Sequence, residues 1–323
     1  MHTKLVSVVI PSYNHEKFIK STINSIIEQT YSNIELIVID DGSTDNTYKV
    51  LSSCRSDCIN RFTRVYFAKQ EHMGTALTLN HLVENVQGEY ILFIASDDLL
   101  KPNAIETFID FLEHNQEYGL VVGNNEIIDS NGEKCFWDEN QNIVYDENKA
   151  TYKTFVDQLK SNAPYFTDEL FGTYKTLYRG NYIPNGYMVR KSLFDIIEPF
   201  TKEAPLEDYY LMLQLSKYTR FKYLDIVYFS YRWHANNSIK NKELIISYTN
   251  KTKKYEDQLL KTINLNDCFQ EVKEIVKRGI YQRSFGIPHV LEIRYFRKNF
   301  EKIRVLALFN IEVFSWKKII NLV

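Results

Sequence analysis

Asp97 and Asp98 stand side by side in 90-YILFIASDDLLKP-102, delivered by an apolar run from Tyr90 to Ala95. Adjacent carboxylates repel unless a cation or hydrogen bonds compensate. Carboxylate oxygens suit Mg2+ or Mn2+, which bind through one or two acids together with substrate phosphates. The ordinary alternative is that Asp98 caps the next helix and Asp97 is solvated. Asp40 ends 34-IELIVID-40, just before 41-DGSTDN-46. Ser43 to Asp45 suit a helix start. Asp40 should instead point into a crevice, where it can accept the imide N–H of a uracil ring or a ribose hydroxyl. In 11-PSYN-14, Pro11 cannot donate to a ladder and so ends a strand. Tyr13 then offers a ring on which a nucleobase can stack, unless the stretch is a plain turn with Asn14 capping the next helix.

The elements that must hold these residues alternate. Runs rich in Val and Ile at 5–10, 34–39, 64–68 and 90–95 read as strands buried on both faces, and 15–29, 44–53, 74–86 and 103–115 read as helices. Strict alternation implies an α/β fold, a Rossmann-like, mostly parallel sheet flanked by helices. Ligands bind such sheets beyond the carboxyl ends of the strands. Tyr13, Asp40 and the acid pair follow strands one, two and four, so they converge on one edge in the order expected for base, ribose and metal–diphosphate. After residue 117, GLVVGNNEIIDSNGEKCF reads as a hairpin, LEDYYLMLQLSKY as a helix and FKYLDIVYFSY as a strand. From about 241 the pattern is mainly helical. The expected domains are therefore a catalytic 1–240 and a helical C-terminal extension, 241–323.

The 323 residues carry 39 Lys plus Arg against 41 Asp plus Glu, which gives no support for nucleic-acid binding. The N-terminal stretch lacks the apolar core and cleavage site of a secretory signal, and no segment has the roughly 20 apolar residues of a membrane span. Cys54, Cys58, Cys135 and Cys268 read as structural thiols, since no His stands near Cys54 and Cys58. The expected location is cytoplasmic.

VSVVIPSYNHEKFIKSTINSIIEQTYSNIELIVIDDGSTDNT, continued by GEYILFIASDDLLKP, resembles the family 2 glycosyltransferases of the GT-A fold. The likeness covers roughly residues 5–130 and resumes in PLEDYYLMLQLSKY and YFSYRWHANNS. It implies that Pro11, Tyr13 and Asp40 hold a nucleotide and that Asp97 and Asp98 serve ribose and metal. It also implies that Asp208 is the catalytic base of an inverting transfer. The family often reads Asp-x-Asp-Asp where this chain has Ala95-Ser96-Asp97-Asp98, so the leading acid is missing. The expected donor is a UDP-hexose or UDP-N-acetylhexosamine, and the expected cofactor Mn2+ or Mg2+.

Asp208 opens a helix and can face the acceptor hydroxyl, which is a poor nucleophile until a base takes its proton. Against this, Glu207 and Asp208 simply favour a helix N-terminus. His234 can ligate metal through one ring nitrogen, Arg232 can pair with the diphosphate, and GNYIPNGYMVR (180–190) can line an acceptor pocket. In 288–323, seven Lys or Arg stand among aromatics against three Glu. On a helix that pattern suits the headgroups of an anionic membrane, at the inner face of the cytoplasmic membrane, or else packing on the catalytic domain or in a homodimer. Membrane contact would fit a lipid-linked saccharide acceptor in surface glycan assembly. The competing reading is a non-catalytic nucleotide-sugar-binding module. A dinucleotide reductase lacks its Gly-x-Gly-x-x-Gly, and a glycosidase would leave the nucleotide motifs unexplained.

Overall fold

A computed structural model describes residues 4–262 and 268–278, and the backbone at 291–298, 301–308 and 311–319. The chain divides into two units, Met1–Glu256 and Asp257–Val323. The first runs β1 (Val6–Ser12), α1 (Ile19–Ile27), β2 (Ile34–Asp40), α2 (Thr47–Ser53), α3 (Arg55–Arg61), β3 (Arg64–Lys69), α4 (Thr75–Glu84) and β4 (Tyr90–Phe93). It continues through β5 (Leu99–Leu100), α5 (Ala104–His114), β6 (Tyr118–Ile128), β7 (Lys134–Trp137), β8 (Ile143–Val144), α6 (Phe155–Asn162) and α7 (Tyr174–Leu177). β9 (Tyr187–Arg190), α8 (Glu207–Leu215), β10 (Arg220–Arg232) and most of α9 (Lys242–Leu259) complete it.

One sheet carries the order β3-β2-β1-β4-β9-β6-β10-β5, with β7 and β8 attached through β6. β1 pairs in parallel with both β2 and β4. β9 is antiparallel to its neighbours β4 and β6. The chain thus steps from β1 out to β3 and returns on the other side of β1 as β4. That reversal opens a crevice at the carboxyl ends of β1 and β4, the place where such sheets take ligands. Parallel register sets Ser12 beside Asp40 at the same edge.

β1 and β2 are apolar because helices cover both faces. Val6, Val8 and Ile10 pack with Ile19, Ile23 and Ile26 of α1 and with Ile105, Phe108 and Leu112 of α5. The 19, 23, 26 spacing puts those isoleucines on one helical face. Each such side chain contributes about 1.5–3 kcal/mol when fully buried, so the strand ends are fixed points. Cys54 and Cys58 belong to this core, and burial pushes the Cys58 thiol up to about 12, as structural thiols require.

In the second unit, α10 spans Gln270–Arg278, and β11 (Leu291–Lys298), β12 (Glu301–Leu308) and β13 (Ile311–Ile319) form an antiparallel sheet. Within 241–323 the expected helices stand at α9 and α10, but 291–319 is strand, which corrects the helical expectation there. IEVFSWKKI and LEIRYFRK are rich in β-branched and aromatic residues, which suit strands better than helices. The side chains behind the basic–aromatic expectation for 288–323 lie outside the described residues. Among the described residues, no helix is long and apolar enough to cross a membrane.

Candidate active site

Asp97 follows β4 and reaches the crevice from one side. His234, just past β10, meets it with Nε2 2.9 Å from Asp97 Oδ2. His15, on the loop after β1, sets its Nε2 3.8 Å from the same oxygen. One ligand atom from each of the three lies within 4.8 Å of the others. Adjacent donors around a cation with bonds of roughly 2.1 Å stand about 3 Å apart. The His234–Asp97 pair is at that spacing, and His15 needs only a small closure. Two imidazoles and a carboxylate are a donor set a divalent cation accepts, so these residues fit the metal expectation at Asp97 and His234. Burial works to raise the Asp97 carboxyl, but the His234 hydrogen bond and the facing charges of His15 and His234 hold it below the ordinary value. Burial also depresses His15, against the pull of Asp97.

Asp98 caps no helix. α5 starts at Ala104 with Asn103 before it. Asp98 Oδ1 instead accepts the Arg232 backbone N–H at 2.8 Å, and Oδ2 is buried without a hydrogen-bond partner. Burial first, and the Asp97 charge second, push this carboxyl well above the usual carboxylate range. Asp98 stands next to Asp97 of the cluster, with one carboxylate oxygen held by the β10 backbone.

Arg232 is turned inward, its guanidinium bonded to protein oxygens. Its Nε donates to Asp97 O at 2.6 Å, Nη1 to Asp129 O at 3.2 Å and Nη2 to Ser21 Oγ at 3.2 Å. The residue is 3% exposed, so the guanidinium clamps the acid loop to β10. A cleft of roughly 1160 Å3 opens beside His15 and His234, and the cations on its wall are Lys17, Lys240 and Lys242.

On the other side of β1, Tyr13 is exposed and stacks on His72 with ring centroids 4.4 Å apart. Asn14 caps no helix: at φ 53° it accepts the Thr44 N–H through Oδ1, tying the β1 loop to the β2 loop. Asp40 is fully buried; Oδ1 accepts the Ser43 N–H at 2.9 Å, while Oδ2 has no partner. Ser12 Oγ beside it is also buried and unpartnered. Buried acceptors without donors are costly, and a ligand N–H or O–H would relieve them. Asp41 serves the loop instead, accepting Met73 N–H, Gly74 N–H and the Gln70 amide. Gly42, at φ 75°, makes this turn possible, since a Cβ there would meet His72 N at 2.7 Å. Pro11 lies opposite Ile39 in the last pairs of β1 and β2.

Asp208 begins the first turn of α8, accepting its neighbour's N–H and the Asn181 amide at 3.1 Å. Burial raises its carboxyl above the ordinary value. Burial and the Asp208 charge push Glu207 up to about 7. Burial first, and then the charges of Asp98, Asp97 and Asp208, push the Tyr231 phenol well above its ordinary value. His15 escaped the sequence reading, because it sits in a loop whose pattern explains itself as a turn.

The family model described as glycosyl transferase family 2 matches residues 7–179. Glycosyltransferase GlyG of Streptococcus pneumoniae serotype 4 is 28% identical over 217 residues, 65% of this chain and 66% of that protein. An uncharacterized glycosyltransferase of Rickettsia conorii is 36% identical over 132 residues, 41% of this chain and 21% of that protein. The chain thus spans between 21% and 66% of the length of these curated relatives. Among solved structures, S. aureus TarS 1-349 in complex with UDP-GlcNAc aligns with a TM-score of 0.50 at 20% identity, over 74% of this chain and 61% of that one. The mannosyltransferase PcManGT from Pyrobaculum calidifontis, in complex with GDP-Man and Mn2+, aligns with a TM-score of 0.50 at 15% identity, over 72% of this chain and 57% of that one. These likenesses establish the fold.

Proposed function

The chain belongs to glycosyl transferase family 2, and from that premise we propose that it moves a sugar from a UDP-sugar to a saccharide hydroxyl with inversion. The observation that carries this reading is the convergence at the β1/β4 crevice. The Asp97–His234–His15 donors stand on one side and the unpartnered Asp40 Oδ2 on the other. Tyr13 and His72 offer ring faces to the base, and Asp40 accepts a base N–H or a ribose hydroxyl. Asp97 and His234 would hold a divalent cation, whose charge would stabilise the departing diphosphate. Lys17, Lys240 and Lys242, rather than Arg232, add positive charge on the cleft wall.

Asp208 takes the proton of the acceptor hydroxyl as that oxygen bonds to the anomeric carbon and the bond to the diphosphate breaks. Its raised basicity suits the role, and Asn181 fixes its orientation. One base and one direct displacement give inversion. A lipid-linked acceptor and contact with an anionic membrane through 288–323 rest on the basic–aromatic sequence there. The test is incubation with a panel of UDP-sugars and Mn2+. UDP should be released, and Asp97→Ala should abolish release. UDP binding without any turnover would favour a non-catalytic binding module, and no binding of either would sink the nucleotide reading.

A further inference from the structure

We propose that Arg232 and Phe18 form a packed platform that aims Asp97, His15 and His234 at one point, and so act as positioning residues for the cation. This rests on the nucleotide-sugar reading above and names what sets the geometry of its metal.

Arg232 ends β10 and holds both acids of the pair in different ways. Its Nε donates to Asp97 O at 2.6 Å, while its own backbone N–H donates to Asp98 Oδ1 at 2.8 Å. One residue thus fixes the main chain of the first acid and the carboxylate of the second. Asp97 Oδ2 is left to meet His234 Nε2 at 2.9 Å. The rest of the guanidinium reaches Asp129 O after β6 and Ser21 Oγ in α1. Those bonds tie the fork to two elements that carry none of the three donors. A planar guanidinium with five N–H groups can serve these directions together, and an ammonium cannot.

Arg232 also lies over the Phe18 ring, with Cζ 5.1 Å from its centroid. The same ring stands 4.8 Å from the His234 imidazole and 5.8 Å from that of His15, centroid to centroid. Phe18 reaches this place because its N–H donates to His15 O at 3.0 Å, closing a turn directly after the histidine. Cation–π attraction holds the ring to the guanidinium. Both imidazoles therefore rest on a surface that hydrogen bonds to β6 and α1 keep still. Neither a guanidinium nor a phenyl ring can ligate a cation, so the platform acts only through where the donors point. Groups of this kind, one layer behind the ligands, govern metal affinity by holding ligand orientation.

Mn2+ binding to the full chain with UDP, followed by electron paramagnetic resonance, reads the donor geometry without any turnover. UDP binding in EDTA is measured alongside by calorimetry. Arg232→Lys keeps the charge but not the fork, and Phe18→Leu keeps apolar bulk but not the ring face. Each should weaken Mn2+ at least about tenfold while UDP binding in EDTA is kept. Since both act through one contact, the double variant should bind Mn2+ little worse than the poorer single one. Glu256→Ala breaks the buried pair with Lys217 and touches none of these residues. It should leave Mn2+ affinity at the wild-type level, which separates aim from stability. Wild-type Mn2+ affinity in either single variant, single effects that add in full, or an equal loss in Glu256→Ala would overturn the proposal. UDP binding in EDTA lost in Arg232→Lys would overturn it too, and make Arg232 a diphosphate contact. A wild-type chain that binds no UDP would remove the nucleotide reading, and this one with it.

Discussion

Asp208 shows how burial turns an ordinary side chain into a candidate base. Its carboxyl is raised above the common value by desolvation, so it holds a transferred proton more firmly than a solvated aspartate would. Asp208→Asn keeps the size and the Asn181 contact but removes the basic oxygen. Transfer should fall by about 10²–10⁴-fold, with UDP affinity unchanged; transfer at the wild-type rate would remove Asp208 from the chemistry. Arg232 teaches the opposite lesson. Residue type allowed it a phosphate contact, and its donors reach Asp97 O, Asp129 O and Ser21 Oγ. A guanidinium's partners are settled by packing, which a linear sequence does not display.

At the level of elements, α8 opens with Glu207 and Asp208, and helix N-termini normally favour ionised acids. Burial outweighs that effect here, pushing Glu207 from the ordinary 4.5 up to about 7. A folded value above the unfolded one means the neutral acid favours the fold. That contribution is whole below pH 4.5 and is lost as pH rises through about 7. Glu207→Gln should therefore melt increasingly above the wild type as pH climbs through this window, and the two should converge in acid. Parallel melting curves at all pH values would mean that Glu207 is solvated. β1, β2 and β4 were legible because central parallel strands must be apolar on both faces, and the crevice followed from their order. β9 was not: its four residues are too short to show a period, and the chain reaches them through Gly186 at φ 77°. α3 carries the polar sequence RSDCINR, which gave no apolar face to read. In 291–319, Arg and Lys among the aromatics obscured the β-branched character of the three strands.

The molecule as a whole places the proposed donor site, from Pro11 to His234, inside the first unit, which closes at Glu256. That last residue matters because Lys217 is fully buried and its Nζ lies 2.9 Å from Glu256 Oε1. Tyr174 and Gln214 donate to the same carboxylate at 2.6 Å and 2.8 Å, so α9 is pinned to α7 and α8. Removing one partner of a buried ion pair leaves an uncompensated charge and costs about 3–5 kcal/mol. A fragment ending at 240 should therefore fail to fold stably, although of the proposed donor-site residues it lacks only Lys242. A fragment ending at 262 keeps Glu256 and should bind UDP and Mn2+ as the full chain does, while losing any affinity for anionic vesicles that resides in 288–323. Glu256→Ala in the full chain should lower the urea midpoint by the same penalty, and Lys217→Met with Glu256→Leu should restore most of it. Stable folding of the fragment ending at 240 would show that the buried pair is not what closes the unit. Vesicle binding retained by the fragment ending at 262 would move the membrane contact off the C-terminal strands.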